Sequence, residues 1–144
     1  MTGTGARSVA RVRRASTADV PAIVSLLHRT LGWEDDAASA AHFLWKHFDS
    51  PFGRSDVWVA EAEGALVGVR SFLRWELRAP DGARWTTARS VDTATDAAHR
   101  RQGVFTELTT AGLDALAAAG VRFVFNTPTD QSRAANLTLG WEVV

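Results

Sequence analysis

The stretch Thr93-Ala94-Thr95-Asp96-Ala97-Ala98-His99-Arg100-Arg101-Gln102-Gly103-Val104-Phe105 decides the fold, because its residue types change from strand-like to helical across a short basic loop. That order builds an anion site. The first four N–H groups of a helix have no partner inside it, so a loop that wraps a phosphate against them satisfies donors and ligand together. Arg100 and Arg101 add charge, and Gly103 lets the backbone turn or approach a ligand closely. The loop suits a pyrophosphate.

Downstream, Phe105, Leu108, Gly112, Leu113 and Leu116 fall on one helical face until Gly120 closes the helix. Val121–Phe125 reads as a compact buried strand, residues 126–130 as a loop, Gln131–Leu139 as a short helix ended by Gly140, and Trp141–Val144 as the start of another strand.

Upstream, residues 1–10 carry nothing to bury and are expected to form a mobile tail, with order beginning at a short strand, Arg11–Arg13. Ser16-Thr17-Ala18-Asp19 matches a capping box, and Val20, Ile23, Val24, Leu27 and Leu31 follow at helical spacing to Gly32. A second helix is expected within Ala37–His47 and a strand at Val57–Ala60. From Val67 to Leu77 the residues alternate, with Gly68, Arg70, Phe72, Arg74 and Glu76 on the other face; period two predicts a half-buried strand. Pro80-Asp81-Gly82 is a turn signal, so Trp85–Thr95 should return antiparallel to that strand.

At 144 residues with 46% hydrophobic content, the chain fits one domain with a core of its own. A formal net charge of zero gives no global basic field, which argues against nucleic acid as the partner. With no cysteine, disulfides, thiolate metal sites and a Cys acyl-enzyme are excluded. No apolar run reaches the ~20 residues that cross a bilayer, so no membrane partner and a cytoplasmic location are expected. His42 and His47 are five residues apart, not the four that faces a metal, and no metal site is expected.

The order of elements resembles the GNAT family of N-acetyltransferases over Arg11 to Val144. The family signature is Arg or Gln, two residues, Gly, one residue, then Gly or Ala; here it reads Arg100-Arg101-Gln102-Gly103-Val104-Phe105. Phe105 departs from the small residue, and its place on the apolar stripe predicts that it points into the core. The capped first helix and a closing Leu139-Gly140-Trp141, similar to the family's Leu-Gly-Phe, strengthen the resemblance. It implies an α+β fold in α/β/α layers, with a mixed, mostly antiparallel sheet of about six strands and four helices. The implied cofactor is acetyl-CoA or another acyl-CoA.

By this resemblance, residues Arg100 to Phe105 hold the diphosphate, and unpaired backbone on Thr93, Ala94 and Thr95 hydrogen-bonds the pantetheine arm. A backbone N–H near Thr93 would polarise the thioester carbonyl. Asn126 reaches the pantetheine amides or, alternatively, braces the Pro128 loop through an Asx turn. Arg100 and Arg101 would otherwise be a solvated surface pair, and His99 a surface histidine beside the loop. Trp33 and Trp45 flank the region that shapes the acceptor pocket in the family.

The implied activity is transfer of an acyl group from acyl-CoA to a primary amine of a small molecule or peptide, by direct attack in a ternary complex. The amine must be neutral, so a carboxylate or a water chain to one takes its proton. Asp92, next to the expected acyl position, is the catalytic candidate; the alternative is a bond to a neighbouring strand or loop N–H. Asp96 and Glu76 stay open, and Glu61 lies on a strand farther away. Many family members place a tyrosine four residues before the closing Gly to protonate the leaving thiolate, and that position is Asn136 here. An amide can hydrogen-bond the sulfur or orient a water but is no useful acid. A thiol pKa near ~8.5 makes a tolerable leaving group, and losing a general acid costs roughly 10²- to 10⁴-fold. Two other readings stay open: a non-catalytic CoA-binding or regulatory module, and one part of a larger acetyltransferase. Family domains usually continue through another strand pair, so a domain truncated at its C-terminus is expected, with an open sheet edge that invites a homodimer.

Overall fold

A computed structural model describes residues 10–144. The expected tail lies outside the described residues except for Ala10, which is buried. In chain order the elements are β1 (Arg11–Arg14), α1 (Val20–Leu31), α2 (Ala37–Phe48), β2 (Asp56–Ala62), β3 (Ala65–Arg78), β4 (Arg84–Thr95), α3 (Val104–Ala118), β5 (Val124–Phe125) and α4 (Asp130–Thr138). The strands form one sheet in the order β1-β2-β3-β4-β5, antiparallel except for the parallel β4/β5 pair. This is an α+β fold with five strands and four α-helices among the described residues.

The local signals act as their chemistry requires. The Ser16 N–H donates to Asp19 Oδ2 at 2.7 Å, and a 3₁₀ turn over Thr17–Asp19 leads into α1. Gly32, at φ +76°, ends that helix. Asp36 Oδ1 caps α2 by accepting from the Ser39 N–H at 2.8 Å. Between β3 and β4 the Gly82 N–H bonds the Ala79 carbonyl at 2.9 Å, closing the expected turn.

Two helices cover one sheet face and α3 the other. Val20, Ile23, Val24, Leu26 and Leu27 of α1 and Phe43 of α2 pack on Val57, Val59, Val69 and Ala94. Across the sheet, Val104 and Leu108 of α3 pack on Ala60, and Leu116 packs with Phe72. Gly112 permits the closest approach: a Cβ there would stand 2.2 Å from Phe72 Cε2. The resulting sandwich corrects the reading of β3 as half-buried throughout. Residues 66–72 are buried on both faces, Arg70 and Phe72 included, and only residues 73–77 are half-exposed.

The C-terminal third departs from expectation in two places. Only Val124 and Phe125 pair with β4, opposite Ala88 and Arg89, although Arg122 N–H still bonds the Thr86 carbonyl at 3.0 Å. Beyond Arg89 the chains diverge, so Ser90–Thr95 have no strand on that side. Trp141–Val144, expected to be a strand, forms none. Gly140 (φ +91°) reverses the chain, the Trp141 N–H returns to the Asn136 carbonyl at 3.1 Å, and the indole settles 5.8 Å from the Arg70 guanidinium.

Candidate active site

The divergence of β4 and β5 opens a cleft of about 910 Å³. Its walls are the free edge of β4, the start of α3, and the loop that leads into α4. Backbone N–H and C=O groups cannot be buried without partners, so an unpaired strand edge lining a cleft is a surface for an extended polar ligand.

At one end lies the loop that opened the sequence reading. Gly103 (φ +83°) precedes α3, and Arg101 is also left-handed at φ +60°. The first bond into α3 runs from the Glu107 N–H to the Gly103 carbonyl at 3.0 Å, and the N–H groups of Val104, Phe105 and Thr106 ahead of it make no hydrogen bond among the described residues. All three residues line the cleft with Gly103, Arg100 and Arg101. Three free amides and the positive end of α3 thus share the cleft lining with Arg100, whose Nε reaches the Thr95 carbonyl at 3.5 Å, and Arg101, an arrangement that fits a diphosphate. Asp96 anchors the loop: Oδ1 accepts from the Ala98 N–H at 3.0 Å, and Oδ2 accepts from Arg29 Nε at 3.1 Å. It is committed to structure. Gln102 also faces elsewhere, its Nε2 donating to the Ala98 carbonyl at 3.1 Å.

In the middle of the cleft β4 carries a bulge. Val91 pairs with Ser71 and Ala94 with Val69, so Asp92 and Thr93 together oppose the single residue Arg70. Asp92 sits at φ +46°, a left-handed conformation that re-aims its side chain toward α2. There its Oδ2 accepts from Lys46 Nζ at 2.8 Å and from His47 Nε2 at 2.7 Å, and His47 Nδ1 meets Ser55 Oγ at 2.9 Å. Burial by itself pushes the Asp92 carboxyl up, but the bonds from His47 and Lys46 outweigh it and leave the group below the usual carboxylate range. Burial lowers the His47 imidazole from its ordinary 6.5, against the pull of Asp92. A neutral imidazole then donates from Nε2 to Asp92 and accepts at Nδ1 from the Ser55 hydroxyl. Both bonds to the carboxylate use Oδ2, which leaves Oδ1 without a partner among the described residues.

Among the described residues, Asp92 is the one carboxylate lining the cleft. Glu76 pairs with Arg84 at 3.5 Å in the β3–β4 hairpin, and Glu61 pairs with Arg13 at 2.6 Å at the β1/β2 edge of the sheet, away from the cleft. Thr93, Ala94, Thr95 and Asn126 line the cleft. Asn136 does not: it is buried, and its Oδ1 accepts from Arg70 Nη2 at 3.2 Å. Phe105 is half-buried, its ring 4.4 Å from the Arg70 guanidinium, so it points inward and also walls the cleft. Trp33 packs edge-on against Phe43, and Trp45 is exposed on α2; neither lines the cleft. No group of three His, Cys, Asp or Glu residues stands ready to hold a metal among the described residues.

Sequence reasoning missed Arg70, His47 and Ser55. Arg70 hid in the polar phase of an alternating strand. His47 and Ser55 lie far from Asp92 along the chain, and no local pattern joins them.

This architecture is that of an acetyltransferase domain. The acetyltransferase (GNAT) domain family matches residues 11–144, and the chain belongs to that family. Among solved structures it is similar to glucosamine-6-phosphate N-acetyltransferase from Arabidopsis thaliana, at 12% identity over 94% of this chain and 93% of that one, with a TM-score of 0.77. A predicted acetyltransferase with acetyl-CoA from Clostridium acetobutylicum shares 14% identity over 94% and 92% of the two chains, with a TM-score of 0.78. A transcriptional regulator from Bacillus halodurans shares 16% over 94% of each, with a TM-score of 0.75. No curated protein matches the chain at a significant level.

Proposed function

We propose that the chain transfers an acyl group from acyl-CoA, acetyl-CoA in the first instance, to a primary amine by direct attack. One observation carries this reading: three unpaired amides at the start of α3 stand beside Arg100 and Arg101, at the end of a cleft whose long wall is an unpaired strand edge. The diphosphate would bind those amides, and the pantetheine arm would lie along Thr93–Thr95 and past Asn126. The thioester carbonyl would then rest at the bulge, where a backbone N–H stabilises the developing oxyanion. Oδ1 of Asp92 faces the acceptor side and takes the amine proton directly or through water, while Lys46 and His47 hold the carboxylate in place.

The low proton affinity of Asp92 suits it to relaying to solvent the proton that the attacking neutral amine loses, rather than keeping it. A small-molecule or peptide amine fits the open cleft, and cytoplasmic residence belongs to the same proposal. A CoA-binding module without turnover is the second reading, favoured by Asn136 where a phenolic acid is expected.

Thermal melting with acetyl-CoA, followed by free-thiol release with a panel of amines, tests both. Stabilisation with amine-dependent thiol release is expected. Stabilisation without release supports the module, and an unchanged melting point contradicts both readings.

A further inference from the structure

Arg70 is the most buried charged side chain described, 1% exposed, and it has no carboxylate partner. Its guanidinium lies 4.4 Å from the Phe105 ring centre, 5.3 Å from that of Phe72 and 5.8 Å from that of Trp141. Among the described residues its one hydrogen bond goes to Asn136 Oδ1 at 3.2 Å. Arg70 Nε and Asn136 Nδ2 are buried donors with no acceptor among the described residues. Ring faces offset part of the cost of burying a cation, but unmet donors and an uncompensated charge remain expensive. Burial lowers the guanidinium to about 10, so it stays charged at neutral pH. Such a group calls for an anion, and Arg70 lines the cleft from which one can come.

Position narrows the anion. Arg70 is the β3 residue opposite the bulge, and its side chain lies on the α3/α4 face, whereas Asp92 reaches toward α2 on the other face. The two charges therefore flank the same backbone irregularity from opposite sides of the sheet. If the thioester carbonyl rests at that bulge, its sulfur, one bond away, falls within the guanidinium's field, with the acceptor amine on the Asp92 side. This step rests on the reading above.

We propose that Arg70, with Asn136 as its positioning residue, stabilises the thiolate of CoA as it leaves. The amine nitrogen forms the new C–N bond, the C–S bond breaks with its electron pair going to sulfur, and the amine proton leaves through Asp92 to solvent. The guanidinium donates a hydrogen bond to the sulfur without giving up its proton, and CoA takes a proton from solvent after release. An electrostatic donor thereby does what an acid would do elsewhere.

The test uses free CoA and needs no acceptor. The ultraviolet absorbance of the thiolate is followed as the complex of CoA with the intact chain is titrated with base. Bound CoA should titrate at least about tenfold more acidic than free CoA, one pH unit or more below the usual thiol value near ~8.5. In Arg70→Met the thiol should return to the value of free CoA while CoA affinity is retained. A thiol that titrates normally in the wild-type complex, or a shift that survives in Arg70→Met, overturns the assignment. Should Arg70→Met fail to fold, Arg70→Lys serves: it keeps the charge without the planar fork, and a partial loss of the shift is expected, whereas no loss counts against Arg70. Absence of CoA binding in the wild type overturns the cofactor reading itself, a result distinct from binding with an unshifted thiol.

Discussion

The two charged side chains flanking the β4 bulge, Asp92 and Arg70, are both largely buried and yet furnished in opposite ways. Asp92 has Lys46 and His47 on one oxygen, with Ser55 behind the imidazole, so its counter-charge and orientation come from the fold. Among the described residues Arg70 has three aromatic rings and one amide oxygen, and no carboxylate. A satisfied network is held in one geometry by folding alone, whereas a cation with open donors is completed by something that binds. On the proposed reading, the first side positions a proton acceptor and the second receives negative charge. The same reading puts the acceptor on the α2 side of the cleft and the leaving group on the α3/α4 side.

The sharpest way to break this comparison is Asp92→Asn, which keeps the shape but removes both the proton acceptor and the counter-charge of Lys46. Turnover is expected to fall roughly 10²- to 10⁴-fold in steady-state assays, with CoA affinity by calorimetry little changed. Equal turnover would remove Asp92 from the chemistry.

A smaller effect probes the Arg70 side. Gly112→Ala would place a methyl group 2.2 Å from Phe72 Cε2, against a ring that itself borders Arg70. Alanine is normally the better helix residue, but overpacking of a filled core costs about 1–3 kcal/mol, so the denaturant midpoint should fall. An unchanged midpoint would mean that Phe72 yields and the stack on Arg70 is loose.

The smallest effect is the pH dependence that distinguishes the Asp92 side. Because burial holds the folded His47 below its ordinary 6.5, the unfolded chain binds that proton first, and stability declines as the pH falls below that value. Asp92, lowered from 3.8, adds a further loss only when the pH falls below 3.8 toward its folded value. In His47→Gln the melting temperature should vary less than in the wild type between about pH 7 and pH 5, and equal slopes would contradict a buried neutral imidazole.

Much of the fold was legible because its signals are local. The capping box at Ser16, the helical stripe from Val20, the Pro80-Asp81-Gly82 turn and the Gly103 loop each encode a backbone conformation in a few adjacent residues. What failed depended on distant partners. Arg70 belongs to an alternation that suggests a solvated face, and nothing in β3 announces that α3 covers it. Val121–Phe125 looks like a full strand because four of its five residues are apolar, yet only Val124 and Phe125 pair with β4, and the residues before them reach it through single bonds at Arg122 and Phe123. Trp141 reads as strand-forming until its ring finds a buried cation 5.8 Å away. In the candidate site, the loop could be read from the residues and the free β4 edge only through the family resemblance, whereas the Ser55–His47–Asp92 chain could not be read at all, since helix, loop and bulge meet only in three dimensions.

Every functional step above depends on the unpaired amides at the start of α3. Nitrogen–proton correlation spectra of the intact chain, titrated with CoA and separately with pantetheine, observe them directly. The expected result is that the amide resonances of Gly103, Val104, Phe105 and Thr106 move most with CoA and stay in place with pantetheine, which lacks the diphosphate. If CoA binds and those four resonances do not move, the diphosphate lies elsewhere and the site is misassigned.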